Sequence, residues 1–293
     1  MKVNRYVLLI LGVFFLSSSA IFVKLAAAPP GITAFYRMLF SCLLLLPFAV
    51  MNKGIREEIR GIDLRRGLLI FTGGILLAVH YILWFQSLDY TSVASSTVIV
   101  TLQPLFAVIG GYFLYHERLN PKAVLGIVIA IIGCFVIGYR DMRLSTLALI
   151  GDSLALIAAA VITAYFFIGQ GIRKESGLIV YSVLGYGSSA CFLFLYCLIQ
   201  GNDFIHYSSE TFLYLIALAL FATILGQTIF NFLLRWLNTT VISMAILGEV
   251  IGTCLLGYIF LHERISVTQF IGIAIILLGQ AVFILYSRET KNP

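Results

Sequence analysis

The chain has 293 residues, of which 61% are hydrophobic and only 11% are charged, and its formal net charge is +6. A mean hydropathy of +1.03 excludes a water-soluble domain, in which about 25% of residues are charged. The composition therefore predicts a polytopic membrane protein without a separate soluble domain. No basic, aromatic-interleaved stretch indicates a nucleic-acid partner. The five cysteines lie in apolar runs without metal-binding spacing, so neither disulfides nor a metal site is expected.

Ten apolar segments of membrane-spanning length follow one another, separated by short polar breaks. The first apolar run, from Tyr6 to Val23, is too long for the core of a signal peptide, so we interpret it as a membrane helix. Asn120 and Pro121 are typical of an N-cap and a first-turn proline, and Asp152 is expected to cap helix six. The predicted spans are 6–27, 32–51, 66–88, 92–115, 121–139, 149–170, 178–200, 211–234, 239–261 and 267–287.

Two stretches of the sequence closely resemble each other. Residues 111–133 and 257–279 align without a gap and are identical at nine of 23 positions, including the triplet His-Glu-Arg at 116–118 and 262–264. An internal repeat of this kind predicts two related halves. We place them at residues 1–140, with helices one to five, and at residues 148–288, with helices six to ten.

Lysine and arginine are unevenly divided between the two sides of the predicted helices. With both termini in the cytoplasm, the cytoplasmic segments contain 14 of these residues, and the opposite side contains only Arg140, Arg143 and Arg264. This bias predicts a multi-pass protein of the cell membrane with both termini cytoplasmic. Because an odd number of helices separates the two His-Glu-Arg loops, the halves must have opposite orientations. Inverted repeats of this kind are typical of alternating-access carriers.

Three stretches together resemble a known transporter family. They are "ITAFYRMLFSCLLLLPF" after a Pro-Pro-Gly turn, "SLDYTSVASSTVIVTLQPLFAVIGGYFLYHERL", and "GDSLALIAAAVITAYFFIGQGIRK" ahead of the second His-Glu-Arg copy. Over essentially its whole length the chain resembles the EamA-type branch of the drug/metabolite transporter superfamily. The resemblance implies ten helices as two inverted five-helix repeats, a central cavity and transport of small metabolites. Family members often have a Glu-Pro pair before each Glu loop, where this chain has Gln103-Pro104 and Glu249-Val250.

Glu249 is the foremost candidate for a functional residue, because it lies in the middle of predicted helix nine. A carboxylate at that depth costs at least ~2–3 kcal/mol and should face a partner or a water-filled cavity. It could bind an amino group, exchange protons, or be a structural carboxyl held by a neighbouring helix. Gln103 has the matching depth in the first half. The adjacent Pro104 has no backbone N–H, so it leaves the carbonyl of Val100 without its helical partner. The proline could serve transport, or it could only bend the helix.

Two basic residues also lie within predicted helices. The Arg37 guanidinium could bind a substrate carboxylate or phosphate, or it could snorkel to the interface or pair with an acidic side chain. Lys24, at the end of helix one, is expected to snorkel.

Uncharged polar and aromatic side chains complete the set of candidates for binding or coupling. His80 and Trp84 are four residues apart and share a helix face, so they could relay protons and stack on a substrate, or bond another helix. Gln227 and Asn231 continue a stripe that begins at Thr223, which could line the pathway or join helices.

The charged residues of the two His-Glu-Arg loops are interpreted as structural or gating residues. The carboxylates of Glu117 and Glu263 precede helix N-termini, where the helix dipole favours them. Together with Arg118 and Arg264 they could lock or release helices four and five, and nine and ten.

The sequence as a whole predicts a secondary transporter for small organic metabolites, such as amino acids or related compounds, that works by alternating access. Export is favoured by the family resemblance alone, and uptake of another metabolite class is the alternative. Neither a cofactor nor a metal is expected, and without a Walker motif direct ATP drive is not expected. Proton coupling and facilitated diffusion both stay open, as do a monomer and a homodimer.

Two other classes of membrane protein fit the sequence less well. A membrane-embedded enzyme would need a cluster of ionisable groups near one interface, and the longest loop, 52–65, has mixed charges without such a cluster. A channel subunit is disfavoured by the inverted repeat. The chain is therefore not expected to be an enzyme.

Overall fold

The computed structural model describes residues 4–138, 145–260 and 266–287, and these ranges contain helices and no strand. Within them, nine helical stretches are long and apolar enough to cross a membrane, and Pro121–Ile137 is a shorter apolar helix. The prediction of an all-α polytopic membrane protein with about ten helices is therefore confirmed. The helices are α1 (Arg5–Leu16), α2 (Ser19–Ala26), α3 (Pro30–Met51), α4 (Lys53–Arg60), α5 (Leu64–Tyr90), α6 (Val93–Val100), α7 (Gln103–Tyr115), α8 (Pro121–Gly138), α9 (Thr146–Ile172), α10 (Leu178–Ile199), α11 (Ser209–Ala217), a π-helix (Leu218–Gln227), α12 (Thr228–Leu233), α13 (Thr239–Ile246), α14 (Glu249–Phe260) and α15 (Val267–Ser287).

Three of the membrane-crossing segments are broken near their middles, which the sequence analysis did not predict. The breaks separate α1 from α2, α6 from α7, and α13 from α14, and a fourth segment contains the π-helix. Non-helical backbone is tolerated at membrane depth only where protein surrounds it. Accordingly, Ser17, Thr101 and Leu247, one at each break, are completely buried.

Side chains at the second break replace backbone hydrogen bonds that the helix loses there. Thr101 Oγ1 donates to the carbonyl of Val98 at 2.9 Å. Pro104 cannot donate to the carbonyl of Val100. Gln103 Nε2 approaches this same carbonyl at 3.4 Å. The proline therefore contributes to a break in the helix, and the neighbouring glutamine amide partly compensates for it.

The expected N-cap of helix six at Asp152 is wrong. Helix α9 begins at Thr146, and Ser145 caps it by accepting a hydrogen bond from the Ala148 N–H at 3.1 Å. Asp152 lies within the helix and accepts a hydrogen bond from Ser95 Oγ at 3.0 Å. The apolar residues before Asp152 extend the helix by more than a turn, so the cap moves back to the serine.

The helix contacts of the first five segments have counterparts in the last five. Helix α5 packs along α9, and α1 and α2 pack along α11, the π-helix and α12. Helix α3 packs along α10, and α8 packs along α15. Each pair joins one segment from the first half of the sequence to one from the second half, so neither half forms a separate core.

Glycines allow α8 and α15 to approach each other closely. A Cβ atom on Gly126 would lie 2.8 Å from the carbonyl oxygen of Gly279, and one on Gly133 would lie 2.8 Å from that of Gly272. A Cβ atom on Gly272 or Gly279 of α15 would likewise lie within 3 Å of the backbone of α8. Small residues at such positions let helix backbones touch inside a membrane, where van der Waals packing drives association.

We predict that Gly133→Ala lowers the stability of the folded protein, because the added methyl group meets the backbone of α15. Overpacking of this kind costs about 1–3 kcal/mol. Gly185→Ala is the matched control, since a Cβ atom there has no neighbour within 4 Å. Thermal unfolding of the purified protein in detergent measures both, and equal apparent melting temperatures would contradict the close packing of α8 and α15.

Candidate functional site

A small buried cavity lies where the broken helices meet. Its volume is about 20 Å³, which is room for a single water molecule. The residues that line it flank the three helix breaks, end the π-helix, or project from α3, α5 and α9. They are Leu16, Arg37, His80, Tyr81, Trp84, Val100, Gln103, Ile162, Phe166, Gln227, Ile246 and Glu249. The cavity thus brings together six of the seven residues that the sequence analysis proposed for binding or coupling.

Arg37 is completely buried beside this cavity. Its Nε donates to Thr223 Oγ1 at 2.9 Å, and its Nη1 donates to Ser19 Oγ at 2.8 Å. The guanidinium carbon lies 4.1 Å from the ring centre of Tyr81, which is a cation–π contact. Because Arg37 is buried, it does not snorkel to the interface, and that alternative is wrong. Within the described ranges no carboxylate lies within ion-pair distance of Arg37, although Glu249 lines the same cavity. The buried Nη2 has no hydrogen-bond partner among the described residues.

Glu249 and Gln103 occupy matching positions after two helix breaks. The prediction that Glu249 lies inside a continuous helix is wrong. It is the first residue of α14. The chain breaks just before it, at Leu247 and Gly248, and the low helix propensity of glycine favours this break. Gln103 is the first residue of α7. Both side chains are buried, and the Oε1 atom of each has no hydrogen-bond partner among the described residues.

Buried polar atoms without a partner cluster around the cavity. The structure describes four that can donate and two that can accept: Arg37 Nη2, Trp84 Nε1, Gln227 Nε2 and Tyr81 OH, and Gln103 Oε1 and Glu249 Oε1. About 90% of buried polar groups in proteins are hydrogen-bonded, and an unsatisfied one costs about 1–3 kcal/mol. Such a concentration in one place indicates a site at which the polar groups of a ligand would complete the bonding.

The imidazole of His80 joins two helices and also lines the cavity. Its Nδ1 lies 3.0 Å from the carbonyl oxygen of Ala158 on α9. Since a carbonyl only accepts, Nδ1 must carry the hydrogen, and Nε2 has the lone pair of the neutral ring. The imidazole also stacks on Trp84, with ring centres 5.9 Å apart. The two residues share a helix face, as their spacing predicted.

Asn231 is the candidate that does not line the cavity. Its Oδ1 accepts a hydrogen bond from the Tyr165 hydroxyl at 2.9 Å, and its Nδ2 donates to the Tyr186 hydroxyl at 3.2 Å. Both ends of the amide are therefore bonded to neighbouring helices. Of the polar stripe, Thr223 holds Arg37 and Gln227 lines the cavity, whereas Asn231 joins helices.

A network around Glu117 closes the end of the bundle at which α7 and α9 end and α13 begins. Glu117 Oε1 accepts from Gln170 Nε2 at 3.0 Å, and its Oε2 accepts from Asn238 Nδ2 at 3.0 Å and Thr240 Oγ1 at 3.2 Å. Gln170 Oε1 accepts in turn from the Thr239 N–H at 2.6 Å. The carboxylate thus faces the N-terminus of α13 and not, as its sequence position suggested, that of α8.

The other residues of the His-Glu-Arg loops have different positions. Arg118 is exposed, and it forms no ion pair in the part of the chain that the structure describes. Glu263 and Arg264 lie outside the described residues.

The opposite end of the bundle has an open vestibule with a volume of about 330 Å³. Its walls include the exposed side chains of Lys24 and Asp89, and its lining includes Phe85. The Phe85 ring lies 5.5 Å from the ring of Tyr81 and 5.2 Å from that of Trp84, and these two residues line the buried cavity. A layer of aromatic rings therefore separates the vestibule from the cavity.

Several residues of the site were not identified from the sequence. Tyr81 contacts Arg37 and lines the cavity, and Gln170 and Asn238 bond Glu117. The signal for Tyr81 is its place in the aromatic run "HYILWF", between His80 and Trp84. Gln170 and Asn238 gave no signal, because their partner is more than 50 residues away in the sequence.

Comparison with protein families gives one match that covers most of the chain. The EamA-like transporter family matches residues 4–139 and again residues 149–285. An "uncharacterized transporter" of Clostridium kluyveri is 22% identical, over 94% of this chain and 92% of that protein. A "probable amino-acid metabolite efflux pump" of Salmonella typhimurium is 30% identical, over 63% of this chain and 64% of that protein, and a protein of the same name in Escherichia coli is 27% identical over the same shares.

The fold also resembles that of a protein of known crystal structure. The two chains superimpose with a TM-score of 0.80, over 98% of this chain and 99% of the other, although only 17% of the residues are identical. At this identity the likeness concerns the fold alone.

We predict that Glu117→Gln loosens the closed end of the bundle. A neutral amide cannot accept three hydrogen bonds as a carboxylate does, and bonds to a charged group are worth about 1.5–3 kcal/mol each. Hydrogen exchange measured by mass spectrometry should therefore quicken at least about tenfold over residues 239–246. Glu57→Gln on the exposed helix α4 is the control. Unchanged exchange over 239–246 would contradict a closing role for the network.

Proposed function

Because the chain belongs to the EamA-like transporter family, we propose that it exports amino acids or closely related zwitterions across the cell membrane by alternating access. The transporter class follows from the family. The amino-acid class and the outward direction are proposed from the relatives named as efflux pumps and from the chemistry of the cavity.

The observation that supports this substrate class is that one basic and one acidic side chain line the same cavity. Arg37 has a free guanidinium nitrogen, and Glu249 has a free carboxylate oxygen. A zwitterion presents a carboxylate, which guanidinium groups bind through parallel hydrogen bonds, and an ammonium group, which a carboxylate binds. Either charge alone would be costly to bury at membrane depth. A ligand with both charges satisfies both sides of the site.

The remaining unpartnered groups suit the same ligand. The Trp84 and Gln227 N–H groups can donate to the substrate carboxylate, and Gln103 Oε1 can accept from its ammonium group. The rings of Tyr81 and Trp84 would lie beside the substrate side chain. With a volume of about 20 Å³, the cavity must expand to hold an amino acid. The substrate would therefore enter when one end of the bundle opens.

The helix breaks offer places at which such an opening can occur. In the proposed mechanism, residues 1–140 and 148–288 are inverted repeats that tilt relative to one another around the cavity. The paired helix contacts support this arrangement. With both termini in the cytoplasm, the Glu117 network closes the cytoplasmic side and the Lys24 vestibule faces outward. Release to the outside then requires displacement of the aromatic layer at Phe85.

The function is tested by counterflow in proteoliposomes. Vesicles loaded with unlabelled amino acid should accumulate labelled amino acid from outside, saturably, and a thermal-shift screen of metabolites identifies the substrates to use. A zwitterionic amino acid should be taken up where its amide or its N-acetyl derivative is not. Counterflow of both blocked derivatives at the same rate would contradict recognition of the two charges.

We predict that Arg37→Lys weakens substrate binding by about 10- to 100-fold, because an ammonium group cannot replace the planar donor set that faces the cavity. The half-saturation concentration for counterflow measures the effect. Arg60→Lys on α4 is the matched control. If both variants saturate at the wild-type concentration, Arg37 does not bind the substrate.

For coupling, the hypothesis is that Glu249 exchanges the proton that drives transport. A glutamine at this position cannot ionise, so Glu249→Gln should abolish any acceleration of flux by an imposed pH gradient while counterflow persists at a reduced rate. Glu210→Gln, on an exposed helix start, is the control. A gradient effect that survives in Glu249→Gln would assign the coupling to another group.

A further inference from the structure

A groove on the outside of the bundle lies between the start of α1, the start of α10 and the segment formed by the π-helix and α12. Its volume is about 980 Å³, at the upper end of the ~300–1,000 Å³ typical of small-molecule sites. Its walls are apolar, with Leu8, Ile224 and Phe232, and its mouth is polar, with Asn4 and Arg5. It shares no lining residue with the buried cavity, so it is separate from the proposed transport site.

Two arginines contact the ring of Trp236, which lies at the mouth of this groove. The guanidinium carbons of Arg5 and Arg235 lie 5.2 Å and 5.7 Å from the ring centre of Trp236. Within the ranges that the structure describes, neither arginine forms an ion pair. Two like charges on one partly exposed ring repel each other. An anion placed between them would convert that repulsion into two attractive interactions.

Exposed apolar side chains beside the groove indicate that it faces lipid. Next to its polar mouth, Val7 and Ile10 are 48% and 69% exposed, as expected of residues that face acyl chains. Tryptophan is enriched where the hydrocarbon meets the headgroups, and Trp236 lies at the mouth. The polar mouth is thus at headgroup depth, and the apolar walls extend into the hydrocarbon.

We propose that this groove binds an anionic phospholipid, with the headgroup phosphate between Arg5 and Arg235 and an acyl chain along Leu8, Ile224 and Phe232. Guanidinium groups bind phosphate through paired, charge-assisted hydrogen bonds. The apolar walls match the hydrocarbon of a lipid, whereas a free phosphate ion would leave them uncovered.

A lipid in this groove would contact the helix that also supplies the buried cavity. Thr228, in the groove wall, donates a hydrogen bond to the carbonyl of Thr223 at 2.9 Å. Thr223 holds Arg37, and Gln227 lines the cavity. The lipid therefore lies against the outer side of the π-helix, whose inner side forms part of the cavity.

Fluorescence quenching by brominated lipids tests the proposal on the full-length protein. The chain has two tryptophans, so Trp84→Phe leaves Trp236 as the only tryptophan, and excitation at a wavelength that tyrosine does not absorb selects its emission. In phosphatidylcholine vesicles, brominated phosphatidylglycerol should quench Trp236 at a mole fraction roughly 25-fold lower than brominated phosphatidylcholine does, since each arginine near an anionic lipid contributes about fivefold. In Trp236→Phe the remaining Trp84 is buried, and bromine-dependent quenching should disappear.

The arginines are tested by the double variant Arg5→Gln/Arg235→Gln in the Trp84→Phe background, in which the preference for the anionic lipid should be lost. Arg56→Gln/Arg60→Gln, on the exposed helix α4, is the matched control and should keep it. About 1 M salt, which shortens the screening length to about 3 Å, should reduce the preference without any substitution at the arginines. Equal quenching by both lipids in the Trp84→Phe protein, no quenching at all, or equal loss in the control would each overturn the proposal.

Discussion

The burial of the Arg37 guanidinium is the constraint around which the bundle is organised. A charged group at membrane depth is costly unless protein surrounds it and satisfies its hydrogen bonds. Ser19 from α2 and Thr223 from the π-helix accept from it, and the Tyr81 ring of α5 covers its face. These elements come from both halves of the sequence. The contacts of this one arginine therefore fix where three membrane segments meet α3. Its Nη2 atom has no partner among the described residues and is the atom proposed to bind the ligand.

The helix breaks follow from the same requirement. An unbroken helix bonds all its own backbone groups and offers a cavity only side chains. Near Arg37 three segments break, and residues beside each break, such as Leu16, Gln103 and Glu249, line the cavity. Because the breaks are buried, their free backbone groups are shielded from lipid. The polar centre of the protein and its helix breaks are consequently in the same place.

The two ends of the bundle differ although the helix contacts are paired. At one end a single carboxylate, Glu117, accepts hydrogen bonds from three side chains. At the other end a vestibule reaches the aromatic layer of Phe85. A closed polar network and an aromatic layer are different kinds of barrier: directional hydrogen bonds form the first, and packing forms the second. A carrier with one of each would open its two sides by different local changes.

The sequence by itself determined the class of protein and the positions of its membrane-spanning segments, although not the breaks within them, because twenty-residue apolar runs have few alternatives in a membrane. It also indicated Arg37, His80, Trp84, Gln103, Gln227 and Glu249. A polar group inside such a run is costly unless protein or a ligand satisfies it, whichever way it points. Only the tertiary structure decided that these six share one cavity, that Asn231 does not, and that Glu117 bonds α9 and α13. Those facts depend on contacts between residues far apart in the chain, and hydropathy and spacing describe only the face on which a side chain lies, not the helix that it meets.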